Sequence, residues 1–358
     1  MNNSLHATGS TTASAEIEIQ PGMERFLGTV ALFCFMVGVP GNLLATVYFV
    51  QEHLNNSRNI KKLFFTELYI SMTVFDLVLT GTLFPLIENF YTGSRNGVLF
   101  ESAWFCTIWG LLWEIVPCVS VFLVGLLSIS RMLILIRPMN QNLNLTVLRV
   151  IVGTYFLYHV LIRAIFWLAD DDPLNQKIWY TPGSGYCYFY PTEYNLWTAN
   201  GYHAGIVLGM PVIPIFVSFV ASIVKLRETS ACPQNFSRAA QTHATVTIII
   251  VTCLYLVCNI PVLLNYCYYT HTIVNDDISY TLFYSNYSGL FMEKYIWSLT
   301  YCILPSINAS LNPLVFYLRM KPFKTFLHSL VSCRNSSFRK KGHMEAKTNK
   351  EVITTSSF

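Results

Sequence analysis

The sequence predicts an all-α membrane protein: a seven-transmembrane helix bundle with a short amphipathic cytoplasmic helix after helix seven. Three observations predict it. The 358 residues are 53% hydrophobic and only 12% charged, where a soluble domain averages about 25% charged. Apolar stretches of bilayer-crossing length, about 20 residues, recur along the chain between short polar segments rich in Asn, Asp, Gly and Pro. Lys and Arg fall mainly in alternate connections.

The expected spans run from Phe26 to Val50, Leu63 to Tyr91, Ala103 to Ile136, Val147 to Ala169, Gly201 to Leu226, Thr242 to Tyr269 and Phe291 to Leu318. Each is too long and too continuous for a barrel strand, so each is expected to be a helix. Residues 1–25 form an extracellular N-terminal segment, 26–320 the transmembrane domain, 321–333 the amphipathic surface helix and 334–358 a disordered cytosolic tail.

Orientation follows from the basic residues. With the N-terminus outside, the inner side receives Arg58, Lys61, Lys62, Arg137, Arg149, Lys225, Arg227, Arg238 and the basic tail from Arg319 to Lys350. The outer side keeps acids, among them Glu16, Glu18, Glu24, Asp170 to Asp172, Asp276 and Asp277. The first 25 residues hold no apolar h-region, so the first helix is expected to act as the insertion signal. A segment that short leaves no room for a separate ligand-binding domain, whose usual size is about 50 residues or more. Of the N-x-[ST] sequences, those at Asn2 and Asn286 fall outside and are glycosylation candidates.

Enzyme chemistry is not expected. The chain contains no G-x-x-x-x-G-K-[ST], H-E-x-x-H or G-x-S-x-G motif, and its eight histidines are scattered. The basic tail reads as a segment lying near anionic lipid rather than as a nucleic-acid site. Cys333 follows the amphipathic stretch "RMKPFKTFLHSLVSC" and is a candidate for S-palmitoylation.

Individual polar and proline positions narrow the class. They are "GN" (Gly41, Asn42), "FDLV" (Asp76), "FC" (Cys106), "SRM" (Arg131), "CNIP" (Cys258, Pro261) and "NPLVF" (Asn312, Pro313). Six such motifs in this order, in the first, second, third, sixth and seventh spans, resemble a rhodopsin-like (class A) G-protein-coupled receptor of divergent type, over Gly41 to Cys333. Geometry agrees with the placement. Cys106 and Arg131 stand 25 positions apart, roughly 37 Å of helix against a hydrocarbon core of about 30 Å, so one lies at each rim.

The resemblance implies a function: an extracellular ligand, a basic peptide or a small molecule, binds the outer half of the bundle, and a heterotrimeric G protein is activated at the inner face. It implies plasma-membrane localisation, and the tail Ser and Thr residues become candidate phosphorylation sites for arrestin. By resemblance the ligand pocket includes Glu88, Trp113, Glu114, Pro117, His203, Asn265, Tyr266, Trp297 and Tyr301. Trp113 stands where aminergic receptors carry their amine-binding aspartate, which speaks against a monoamine. Glu114 is either a counter-ion for a cationic group or a partner of a basic side chain such as Arg163. The acidic outer loops either steer a basic ligand or are simply solvated.

Asp76 lies in the middle of a span, and an intramembrane carboxylate is by default functional. By resemblance its partners are Ser120, Asn308 and Asn312, a sodium pocket with Asn42 close by, and sodium would act as an allosteric modulator. The alternative is a neutral, hydrogen-bonded Asp at a helix junction. A disulfide between Cys106 and Cys187 is implied in the same way; the alternative is two free thiols.

The activation positions implied are Arg131, Tyr255, Asn259, Pro261, Asn312, Pro313 and Phe316. Several depart from the family pattern. Ser130 stands where an acid usually restrains the arginine, Asn259 replaces the usual tryptophan, and Phe316 replaces a tyrosine, with Tyr317 one step, about 100°, round the helix. These departures keep a second function open: a seven-helix binding or scavenger protein that no longer couples to G protein.

Overall fold

The computed structural model describes residues 20–55, 60–92, 103–136, 144–168, 178–180, 187–189, 246–247, 249–264, 298–330 and 332, with 209, 211–213, 215–224 and 227. Four segments are long and apolar enough to cross a membrane: Arg25–Asn55, Lys62–Glu88, Ile108–Ser130 and Leu145–Ile162. They lie in helices α1 (Gln20–Asn55), α2 (Ile60–Gly81) continued by α3 (Leu83–Thr92), α4 (Ala103–Ile136) and α5 (Leu145–Leu168). Two shorter apolar helices follow, α6 (Pro211–Val224) and α7 (Ile249–Leu264). Next come a π-helical turn, Ser298–Ile303, helix α8 (Leu304–Arg319) and a last helix, α9, over 321–330. The remainder of the fifth, sixth and seventh expected spans lies outside the described residues.

The helical content is joined by one short antiparallel ribbon, β1 (Ile178–Tyr180) with β2 (Cys187–Phe189), which pairs Trp179 with Tyr188 and lies against α4. An all-α expectation omits such a ribbon because three-residue strands carry no readable alternation.

Prolines set the irregularities. Pro85 has no N–H to give the carbonyl four residues back, and the chain breaks between α2 and α3 at Gly81 and Thr82. The loosened backbone is tied elsewhere: Thr82 Oγ1 donates to Leu79 O at 2.7 Å, and the Trp109 indole donates to Thr82 O at 2.9 Å. Pro305 stands in the first turn of α8, where a missing donor is tolerated, and the helix changes there from π to α register. After Met320, which has extended backbone, α9 starts with Lys324 N bonding to Met320 O at 3.1 Å.

α2 is the central element, packed against α1, α4, α5 and α8. α1 approaches it closely at Gly38, where a Cβ would stand 2.5 Å from Thr80 Cγ2 and 2.6 Å from Ser310 Oγ. One core cluster gathers Tyr48, Phe49, Phe65, Tyr69, Leu127 and Phe316, whereas Leu83, Leu86, Trp109 and Cys302 belong to a second cluster. α5 stands at the edge, joined to α2 by a bidentate pair. Arg149 Nε and Nη2 donate to Glu67 Oε1 and Oε2 at 2.6 and 2.9 Å, with side-chain exposures of 58% and 18%.

Candidate functional site

Asp76 sits at 0% exposure on α2, and two other helices reach it. Ser120 Oγ of α4 donates to Oδ1 at 2.9 Å, and Asn312 Nδ2 of α8 donates to Oδ2 at 2.7 Å. Each carboxylate oxygen thus has one donor from a neutral side chain. Removing a charge from water costs several kcal/mol, and two neutral donors repay only part of it.

The surroundings are rich in acceptors. Asn312 Oδ1, Asn308 Oδ1 and Asn42 Oδ1 are buried and receive no hydrogen bond. Asn308 and Asn312 are one helical turn apart on α8 and share a face. Asn42 is joined to the same helix, its Nδ2 donating to Ala309 O at 3.1 Å. That carbonyl is available because Pro313, four residues on, cannot donate to it. Ser310 of α8 completes the seam, donating to Cys34 O at 2.8 Å or to Ser306 O at 2.7 Å. From Asn42 the polar line continues toward the far end of α1, with Thr46 donating to Thr73 at 2.9 Å and Thr73 to Tyr69 O at 2.9 Å.

A buried carboxylate and buried unpartnered amide oxygens are the oxygen ligand type that a hard cation takes; orphaned buried acceptors otherwise lower stability. Of the expected site, Asp76, Ser120 and Asn312 are in direct contact. Asn308 shares α8 with Asn312, and Asn42 is joined to α8 through Ala309 O. Among the described residues no group of three or more His, Cys, Asp or Glu is placed to hold a metal.

The other expected residues fall in three groups. In the first, side chains are described. Trp113 of α4 packs with Leu79, Val116 and Ala309, its ring 5.5 Å from Trp109, and its buried indole N–H has no hydrogen-bond partner. Glu88 on α3 and Pro117 on α4 are partly buried. Tyr255, Asn259 and Pro261 share α7. Asn259 Nδ2 donates to Tyr255 O at 3.0 Å, one turn back on its own helix. Phe316 is 1% exposed and meets Phe49 and Tyr69 edge-on, both at 5.5 Å.

In the second group only the backbone is described: Cys106, Glu114 and Arg131 on α4, Cys187 on β2 and Tyr301 in the π turn. The third group, His203, Asn265, Tyr266, Trp297, Asn2, Asn286 and Cys333, lies outside the described residues.

Sequence reasoning missed the Asn42 to Ala309 bond and the Trp109 to Thr82 bond. A signal for the first existed, since Pro313 marks the carbonyl four residues back, Ala309 O, as one that needs a donor. Which side chain supplies it is a matter of packing. No protein-family model matches the chain, and no curated protein matches it.

Proposed function

We propose that this protein is a rhodopsin-like G-protein-coupled receptor. An extracellular ligand, a basic peptide or a small molecule, binds in the outer half of the bundle and shifts the population toward a state that activates a heterotrimeric G protein at the inner face. Such a shift requires only that the ligand bind one state more tightly than the other. The observation that carries the proposal is the bonding of Asp76 to Ser120 and Asn312, which joins three membrane helices through one buried carboxylate. Sodium fits the surplus of oxygen acceptors there and would stabilise the helix arrangement that surrounds it. When bound, it supplies the positive charge that the two neutral donors lack.

Other features support the reading. The unpartnered indole N–H of Trp113 offers a buried donor on α4, and a buried donor without a partner discriminates strongly among ligands. β2, which contains Cys187, lies against α4, which contains Cys106, as a disulfide between that outer loop and α4 requires. The proposed setting is the plasma membrane, with the N-terminus and glycosylated Asn2 and Asn286 outside. Inside are palmitoylated Cys333 and the tail, which recruits arrestin once phosphorylated.

The test is a G-protein activation assay across subtypes in cells, with a peptide and small-molecule library, comparing wild type with Arg131→Ala. Ligand-driven or basal signal that disappears in the variant supports the reading; signal that never depends on Arg131 sinks it. One observation favours the non-coupling alternative. Phe316 is sealed by Phe49 and Tyr69 and has no hydroxyl with which to stabilise a second arrangement. Ligand uptake without any G-protein response in the same assay would select that alternative.

A further inference from the structure

Ser128 of α4 and Thr252 of α7 are 2% and 1% exposed, and their hydroxyl oxygens stand 3.1 Å apart, so one of them donates to the other. The bond ties the closing turns of α4 to the start of α7. Its neighbours along each helix, Val124 and Leu127 on α4 and Val251 and Leu256 on α7, are buried and apolar. A hydroxyl that loses its partner in such surroundings is left desolvated at a cost in free energy, so the pair holds the two helices together there.

Two further features decide what the bond restrains. Pro261 has no N–H for the carbonyl of Val257, and a helix bends most readily at such a break. Thr252 stands five positions before Val257, in the half of α7 that a bend carries. Ser128 precedes Arg131 by three positions, less than one helical turn, and Ser130 beside that arginine bears no charge. An acid next to Arg131 is thus missing, and the bond from Ser128 to α7 lies within a turn of the same place.

We propose that Ser128 and Thr252 are positioning residues: their hydrogen bond holds the first half of α7 against α4 in the resting protein, and its opening gives the state that engages the G protein. The role of the opened state rests on the receptor reading above; the hold of α4 on α7 does not. A bond between neutral hydroxyls suits the task. It is about half as strong as one to a charged group, and each hydroxyl can turn to a carbonyl of its own helix once released. Its net worth corresponds to roughly two- to tenfold in a two-state equilibrium. A ligand overcomes that with an equally modest difference in affinity for the two states.

The full chain is compared with Ser128→Ala, Thr252→Val, the double variant and Thr252→Ser. Two quantities are read. One is basal G-protein signal per folded receptor in cells; the other, in purified protein, is the distance between spin labels carried by non-canonical amino acids at Leu133 of α4 and Cys253 of α7, both exposed. Ser128→Ala and Thr252→Val are each expected to raise the basal signal roughly two- to tenfold and to enlarge the longer-distance population to the same extent. The double variant should match the single ones, since each removes the same bond, and Thr252→Ser, which keeps the hydroxyl, should match wild type. Single effects that multiply in the double variant, a Thr252→Ser that behaves like Thr252→Val, or lower thermal stability with unchanged distances overturns the proposal. An Arg131-dependent signal that none of the substitutions moves overturns it too, with the receptor reading intact. Distances that shift as expected in a chain that gives no G-protein signal in any variant sustain the hold of α4 on α7 and sink the receptor reading instead.

Discussion

Asn42 of α1 donates to the carbonyl of Ala309 on α8, 267 residues away, at 3.1 Å, and the reason is Pro313. That proline withholds the helical N–H the carbonyl would otherwise receive. The two residues therefore act as a pair: one creates an unsatisfied acceptor and the other satisfies it.

This pairing is measurable by a double-mutant cycle on thermal unfolding in detergent. Asn42→Ala alone leaves a buried acceptor unmade and is expected to cost about 1–3 kcal/mol. In a Pro313→Ala background the helix supplies the donor, so the cost of Asn42→Ala should shrink. Additive effects would show that the two positions are independent.

Sodium should stabilise the wild type against heat relative to choline chloride at equal ionic strength, which holds general screening constant. At ten times the dissociation constant the gain is about 1.4 kcal/mol. Asp76→Asn is expected to lose the sodium response. An equal shift in variant and wild type would remove the ion from this site.

Gly38→Ala is expected to be destabilising by about 1–3 kcal/mol, as overpacking is, because its new methyl group meets Thr80 and Ser310 at contact distances no carbon tolerates. Gly153→Ala is the control. Nothing lies within 4 Å of a Cβ there, and the substitution should be neutral or slightly stabilising through helix propensity.

Truncating Phe316 to Ala removes a ring packed against Phe49 and Tyr69 and should cost about 3–5 kcal/mol in unfolding free energy. If the seal also restrains the proposed active state, basal G-protein signal per folded receptor rises. A loss near zero in the unfolding measurement would contradict the packing.

Ser130 is 8% exposed on α4 beside Arg131 and bears no charge. Basal signalling is expected to be raised in the wild type, and Ser130→Asp should lower it by giving the neighbouring guanidinium a partner. An unchanged basal level would mean that Arg131 is restrained by another group.

Much of the helical frame was legible in the residues. The third expected span has the same bounds as α4, and those of α1, α2 with α3, and α5 differ by a few residues, because unbroken apolar length is a local property. Asp76, Ser120 and Asn312 were legible as a set through the motifs around them. Boundaries set by proline were half legible. Pro85 and Pro305 announce an interruption, but not the π turn at Ser298–Ile303 that precedes Pro305.

What the sequence determined by itself is the material: apolar segments of bilayer length, an acid placed among them, and prolines that free particular carbonyls. Only the tertiary structure decided which groups answer them. The amide N–H of Asn259 serves Tyr255 O, one turn back on its own helix. The amide N–H of Asn42 serves Ala309 O on α8. Ser128 and Thr252 share one hydrogen bond although 124 positions separate them. Side-chain hydrogen bonds reach only about 3 Å, so their partners follow from the relative rotation and approach of whole helices. Packing at residues such as Gly38 fixes that approach, and no single stretch of the chain contains it.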